Sequence, residues 1–132
     1  MSLQRRNYTS EQTRTLARLN DRSLESIVRE TKRPFVVLFE SRYEPNLSKM
    51  VDALTSVLER RNGDLRAGIC LVEDAPEKSR DLNITGVPTV VGLEQGEIIG
   101  RSIGLRSAEE LFFLVNTWFP KRRDEYERDP KD

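Results

Sequence analysis

One continuous apolar segment constrains the fold of this chain more than any other feature. The run "FVVLF" (35–39) follows Pro34 and is rich in β-branched and aromatic residues. It predicts a strand buried on both faces, because a strand with one face in water alternates apolar and polar residues. A sheet that is covered on both faces usually carries helices on both sides, so this run indicates an α/β fold.

Strands and helices alternate around this central strand in the order β-α-β-α-β-(α)-β-β-α. Strands separated by helices can pair in parallel, and the closing hairpin adds an antiparallel edge. The sequence therefore predicts an α/β fold with a central mixed sheet of about five strands flanked by helices on both faces. The other expected strands are 14–19 (or a helical turn there), 65–72, 88–93 and 97–103.

The expected helices carry signals at their N-terminal ends. Asn20 or Asp21 can cap a helix over 20–33, and Asn46 can cap the next helix. Ser107 and Glu110 have the spacing of a capping box for the last helix. The second helix shows a clear apolar stripe, formed by Leu47, Met50, Val51, Leu54, Val57 and Leu58.

Composition limits the classes of partner and location. The chain has 132 residues, and its 22 basic residues balance 22 acidic ones. A nucleic-acid-binding protein usually has an excess of basic residues, and this chain has none, so nucleic acid is not expected as a partner. No apolar run approaches the roughly 20 residues that cross a membrane. The N-terminus lacks the apolar segment of a signal peptide, so we expect a cytoplasmic protein. The expected organisation is a flexible segment at 1–13, one domain at 14–119 and a charged tail at 120–132.

The chain has no histidine and a single cysteine, Cys70. Imidazole catalysis and an intrachain disulfide are therefore excluded, and no metal or other cofactor is expected. Cys70 lies in an apolar strand between Ile69 and Leu71, where a buried cysteine acts as a small hydrophobe. A monothiol role through glutathionylation or a mixed disulfide is the alternative.

From about Leu16 to Trp118 the chain resembles thioredoxin. "FVVLFESRYEPN" resembles the central strand running into the active-site loop, and "ITGVPTVV" resembles the Gly-Ile/Val-Pro-Thr segment whose proline is cis. "EQGEIIGRSIGL" resembles the closing hairpin, with Gly104 at the glycine beside the substrate groove. The resemblance implies a thioredoxin-like fold with a cis peptide bond before Pro88.

The chain departs from the family at the reactive atoms. The two cysteines of the family's aromatic-Cys-Gly-Pro-Cys motif correspond to Glu44 and Leu47. Disulfide chemistry needs a thiolate of lowered pKa and a second thiol to release the mixed disulfide. The family's buried Asp and its neighbouring Lys correspond to Leu38 and Ile69, and a buried charge without a titrating thiol would keep only its desolvation cost. We therefore do not expect a disulfide-exchange enzyme.

The resemblance also implies a way of binding that needs no thiol. In the family, the backbone of the residue before the cis proline pairs with an extended substrate peptide, and here that residue is Val87. We predict a redox-inactive, thioredoxin-like protein that binds a partner protein or an extended peptide, as an adaptor, chaperone-like factor or regulatory subunit. The predicted groove consists of Tyr43, Glu44, Pro45, Val87, Pro88 and Gly104.

Other interpretations stay open beside this one. The chain is alternatively a divergent thiol oxidoreductase acting through Cys70, or a self-associating structural subunit (a homodimer) using a sheet edge or the last helix. Adjacent Phe112 and Phe113 cannot both face the core from that helix, so one of them can supply an exposed apolar contact.

Pro88 and Glu44 also have purely structural interpretations. Pro88 can be cis for the fold alone. Glu44 can serve only its helix N-terminus, where a carboxylate gains about 0.3–1 kcal/mol, or it can join Tyr43 in selecting a basic partner. An acid/base couple of Glu40 and Glu44 is disfavoured, because nothing in the sequence places a second catalytic group or a pocket around them.

The missing thiol pair gives the first testable prediction. We expect a pure sample to show no turnover in an insulin-reduction assay with excess reductant, because neither position of the thiol pair carries sulfur. Thioredoxin is the positive control. Robust reduction of insulin by this chain would overturn the redox-inactive interpretation.

Overall fold

The computed structural model describes residues 16–120. The strands are β1 (Ala17–Leu19), β2 (Phe35–Glu40), β3 (Arg66–Leu71), β4 (Thr89–Glu94) and β5 (Glu97–Ile103). The α-helices are α1 (Asp21–Glu30), α2 (Leu47–Arg60), α3 (Pro76–Asp81) and α4 (Ala108–Trp118), with one turn of 3₁₀-helix at Val72–Asp74. The predicted N-terminal segment 1–13, and the predicted tail beyond its first residue, lie outside the described residues.

The five strands form one mixed sheet in the order β1-β3-β2-β4-β5. β3 runs parallel to both β1 and β2, whereas β4 runs antiparallel to β2 and to β5. The predicted α/β fold with a five-stranded mixed sheet and an antiparallel closing hairpin is confirmed. The turn of that hairpin is Gln95–Gly96, whose positive φ angles of 54° and 82° match a tight two-residue connection.

β2 is buried along its whole length and separates two apolar clusters. Val36 and Leu38 face α2 and α4, where they pack with Met50, Leu54, Leu111 and Val115. Phe35, Val37 and Phe39 point to the opposite face and pack with Leu24 of α1 and with Cys70. The alternation of side chains along a strand therefore gives each face its own core.

The N-terminal ends of the helices agree with the sequence in two cases and differ in a third. Asn20 caps α1 through a reciprocal pair of hydrogen bonds with Ser23, and Ser107 and Glu110 form the predicted capping box of α4. Asn46 occupies the N-cap position of α2, but its side chain makes no capping hydrogen bond. Within residues 16–120, no helix combines the length and apolar character needed to cross a membrane.

Trp118 and Phe119, at the C-terminal end of α4, pack over two glycines of the sheet, one in β4 and one in β5. A Cβ atom added at Gly92 would lie 2.9 Å from Trp118 Cε3 and 3.0 Å from Phe119 Cε2. Gly100 of β5 has Trp118 still closer. The indole, half-buried as predicted for a near-core residue, therefore depends on glycine at both strand positions.

We expect Gly92→Ala to lower the free energy of unfolding by about 1–3 kcal/mol, because the added methyl group cannot fit beneath the two rings. Chemical denaturation of the full chain measures this loss. Gly86→Ala is the matched control, because nothing lies within 4 Å of a Cβ there and its φ is not positive. Equal stability of the two variants would contradict this account of the α4 packing.

Candidate functional site

Three loops converge at the end of the sheet where β2 finishes. Phe39 of β2 pairs with Thr89 of β4, and Thr89 pairs with Ile103 of β5. These pairings bring together the loop after β2 (residues 41–46, the site loop), the segment before β4 (residues 82–88, the proline segment) and the start of the link to α4. All the residues of the predicted groove lie in these loops, so the fold brings them together at one end of the sheet.

The site loop is tied down by an ionic network with the turn after β3. The Ser41 hydroxyl donates to Glu73, and the Arg42 backbone N–H donates to Glu73 Oε1 at 3.1 Å. The Arg42 guanidinium also reaches Asp74 Oδ1 at 2.9 Å. The hydrogen bond from Ser41 is the main reason that the pKa of Glu73 lies below its ordinary value. This anchoring leaves the next side chain, Tyr43, 80% exposed.

Through its side chain, Glu44 holds the residue at the N-cap position of α2 without bonding to the helix N–H groups themselves. Its carboxylate accepts hydrogen bonds from the Asn46 backbone N–H and side-chain amide, each at 3.3 Å. A carboxylate close to the N-terminus of α2 is favoured by the exposed N–H groups and by the helix dipole. Leu47, in contrast, is half-buried and belongs to neither core cluster, so the apolar stripe of α2 is only partly buried where the helix begins.

The proline segment is held from both sides, and the Val87–Pro88 peptide bond in it is cis. Arg101 donates to the Leu82 carbonyl at 2.8 Å and to the Asn83 carbonyl at 3.1 Å. The Gly104 N–H donates to the Pro88 carbonyl at 2.8 Å. The Val87 N–H and C=O make no hydrogen bond in the turns, loops and caps of residues 16–120. This backbone unit is therefore available to an external strand.

Exposed apolar side chains surround that backbone. Besides Tyr43, Ile103 is 55% exposed and Leu105 is 51% exposed. Between them Gly104 has φ +102°, and nothing lies within 4 Å of a Cβ placed there. Sequence reasoning included Gly104 in the groove but missed Ile103 and Leu105. The available signal was a pair of large apolar residues on either side of a glycine where an edge strand ends.

Cys70 lies away from this surface. Its side chain is fully buried, and the Sγ atom lies 3.9 Å from the Leu71 carbonyl. Burial raises the pKa of the thiol to about 12, with smaller contributions from the carboxylates of Asp21 and Asp74. A thiol of this kind is almost entirely protonated at neutral pH, so the geometry favours the prediction of a small core hydrophobe over a reactive monothiol.

Glu40, the last residue of β2, is the unexpected group of the site. Its side chain is fully buried, and neither carboxylate oxygen has a hydrogen-bond partner among residues 16–120. Burial raises the pKa of Glu40 from 4.5 to about 7, and the negative charge of Glu44 adds to the rise. The nearby Ser41 backbone N–H partly offsets it.

Glu40 changes the interpretation of the lost family charge. Leu38 and Ile69 are direct neighbours across β2 and β3 and are both apolar, as the sequence shows. Two residues further along the same strand, however, a carboxyl group is buried on the same face of the sheet. The two family positions are therefore apolar, and the buried acid lies at a neighbouring position whose burial the sequence analysis did not predict. The available signal was a glutamate that directly extends the apolar run of 35–39.

The comparisons with known proteins agree with the fold. A five-stranded mixed sheet with helices on both faces and this strand order is the thioredoxin-like fold. Chloroplastic thioredoxin z, whose crystal structure defines a type-specific target recognition, superposes with a TM-score of 0.66. The two share 21% sequence identity, over 79% of this chain and 94% of the other. No protein-family model and no curated protein matches the sequence.

The convergence of the three loops brings several kinds of surface group together at one end of the sheet. Residues 16–120 contain no cluster of three or more His, Cys, Asp or Glu side chains that could hold a metal ion. What the three loops present to a ligand is an unpaired backbone unit at Val87, an aromatic and aliphatic surface, and the carboxylate of Glu44.

We expect Glu40 to make the wild type less stable as pH rises. Its pKa is higher in the folded chain than in the unfolded chain, so folding favours the protonated form. The contribution of Glu40 to stability is greatest below about pH 4.5, falls between 4.5 and 7, and then levels off. The full loss is about 3 kcal/mol.

The measurement is urea denaturation across this pH range for the wild type, Glu40→Gln and Glu77→Gln. The exposed Glu77 on α3 is the matched control. Glu40→Gln should remove most of the decline that the other two share. If the free energy of unfolding changed with pH in the same way in all three proteins, the pKa of Glu40 would be the same in the folded and unfolded chains, and the prediction would be wrong.

Proposed function

We propose that this protein is a redox-inactive, thioredoxin-like binding module that holds an extended segment of a partner protein at the end of its sheet. The observation that carries the proposal is the unpaired Val87 backbone between exposed apolar side chains. An extended peptide can pair with that N–H and C=O, while Tyr43, Ile103 and Leu105 cover its side chains. Gly104 has no side chain to prevent close approach.

The anchoring of the loops supports this function. A binding surface gains affinity when its groups are already held in the bound arrangement. The site loop is fixed by Glu73 and Asp74, and the proline segment by Arg101 and Gly104. Such a module would act as an adaptor, a chaperone-like factor or a regulatory subunit. The cytoplasmic location expected from the sequence stays a prediction.

Two rival functions use other parts of the molecule. The thiol oxidoreductase hypothesis requires Cys70, which is buried beneath the sheet and has a raised pKa. The self-association hypothesis has an observation in its favour, because Phe113 on α4 is 70% exposed while Phe112 packs partly against the core. Arg106, Glu109, Glu110 and Leu114 line a shallow cavity with Phe113. This surface is the natural control for the groove.

We expect Ile103→Glu to weaken partner binding at least about tenfold, because it places a charge where the peptide would bury apolar surface. The partner is captured from a lysate of the source cell, with and without reductant, and identified, and its Kd is then measured by titration under both conditions. Phe113→Glu is the matched control, as an exposed apolar residue on α4 changed to the same charge. Cys70→Ser should retain the partner in full.

The variants separate the three hypotheses. Loss of binding in Phe113→Glu but not in Ile103→Glu would assign the interface to α4 and refute the groove. Dependence on Cys70 and on the absence of reductant would support the thiol hypothesis. Light scattering of the wild type and Phe113→Glu shows whether the α4 surface joins two copies of the chain.

A further inference from the structure

Glu40 and Glu44 are two acidic groups in the segment that joins β2 to α2, and the charge of Glu44 acts on Glu40. Glu40 ends β2 on the face that carries Val36 and Leu38, and this face packs against α2. Glu44 lies just before α2 begins and is partly exposed. The two carboxylates therefore flank the start of the same helix, one buried beneath the loop and the other open to a ligand.

The pair lacks a cation. The Glu44 carboxylate accepts hydrogen bonds from Asn46, which is neutral, and Glu40 has no side-chain hydrogen bond among residues 16–120. The guanidinium of Arg42, the nearest basic residue in the sequence, turns away to Glu73 and Asp74. Buried carboxylates are normally paired or hydrogen-bonded. The Ser41 backbone N–H offsets the burial of Glu40 only in part, so this carboxyl group would gain from a cation that a ligand brings.

The sheet gives Glu40 an apolar neighbour. Its partner in β3 is Leu71, and the residue before it, Phe39, pairs with Thr89 of β4. On the same face of the sheet, α2 contributes Met50 and α4 contributes Leu111. Glu44 is the charged side chain that acts on Glu40, and both are negative.

We propose that Glu40 and Glu44 accept an arginine or lysine side chain of the bound peptide, so that the groove selects a segment with a basic residue next to its apolar ones. The cation contacts Glu44 directly. It stabilises the ionised form of Glu40 beneath it through the poorly screened interior. The inference deepens the proposed function and names the chemistry of the partner.

The proposal has a consequence for pH. In the free protein Glu40 is half-protonated near pH 7, and a bound cation favours its ionised form. Binding of the cation therefore releases a proton below about pH 7 and is weakened there. In the limit where the cation binds only when Glu40 is ionised, a change from about pH 8 to about pH 6 lowers the affinity roughly tenfold.

The test uses two small probes that need no groove. N-acetyl-argininamide carries the cation, and N-acetyl-citrullinamide has nearly the same shape without charge. Carboxyl ¹³C signals of the glutamates are followed by NMR in the full chain during titration near pH 6 and near pH 8. The expected result is a shift of the Glu40 and Glu44 signals by the arginine probe only, with roughly tenfold tighter binding at the higher pH.

Variants show whether both carboxylates are needed. Glu44→Gln should abolish most binding of the arginine probe, and Glu40→Gln should remove its pH dependence. Glu77→Gln, an exposed glutamate on α3, should change neither. Glu44 lies in a partly exposed loop, so its variant tests the proposal even where Glu40→Gln fails to fold. Equal binding of the two probes, or unchanged binding by Glu44→Gln, would overturn the proposal.

The outcomes also separate this proposal from the groove. A partner lost with Ile103→Glu, together with no response to the arginine probe, supports the groove and refutes the cation site. A response of Glu40 and Glu44 to the arginine probe, together with a partner whose Kd is unchanged by Ile103→Glu, supports the cation site and refutes the groove.

Discussion

The burial of β2 on both faces is the constraint on which the rest of this structure depends. Six consecutive side chains of that strand are buried, from Phe35 to Glu40. Such a strand can only be central, so its two neighbours must pair with both of its edges and helices must cover both of its faces. β3 and β4 supply the edges, and two helices pack on each side. Because β4 runs antiparallel to β2, its preceding segment arrives beside the loop that follows β2, and the site forms where the two meet.

The same constraint explains why the site can keep its shape without a disulfide or a metal. Each of its loops leaves a strand that is fixed in the sheet, and each is tied to a neighbour by groups that do not face the ligand. Arg42 and Ser41 hold the site loop through the carboxylates after β3, and the Gly104 N–H holds the Pro88 carbonyl. Exposed ion pairs contribute little to overall stability, so their main effect here is to position a loop.

Sequence patterns predicted the fold because each element depended on a local and redundant signal. The apolar run at 35–39, the capping box at Ser107 and the turn at Gln95–Gly96 each have one good structural solution, and their order leaves few topologies. The predicted groove residues meet at one end of the sheet for the same reason. The individual roles of Asn46 and Leu47 were predicted less well, because capping and burial near a helix start depend on tertiary neighbours that periodicity does not contain.

Glu40 shows where sequence reasoning fails for a physical reason. A glutamate next to an apolar run normally marks the point at which a strand reaches water, because burying a carboxyl without a partner is costly. Here the loops cover it, and the chain accepts a destabilising group in its core. Local rules that are broken without compensation inside the fold are expected mainly at functional sites. The compensation can then come from outside, and a cation at Glu44 would supply it because the field of a bound charge reaches a buried carboxylate with little screening. On this argument the stability lost at Glu40 and the selectivity of the groove have one cause.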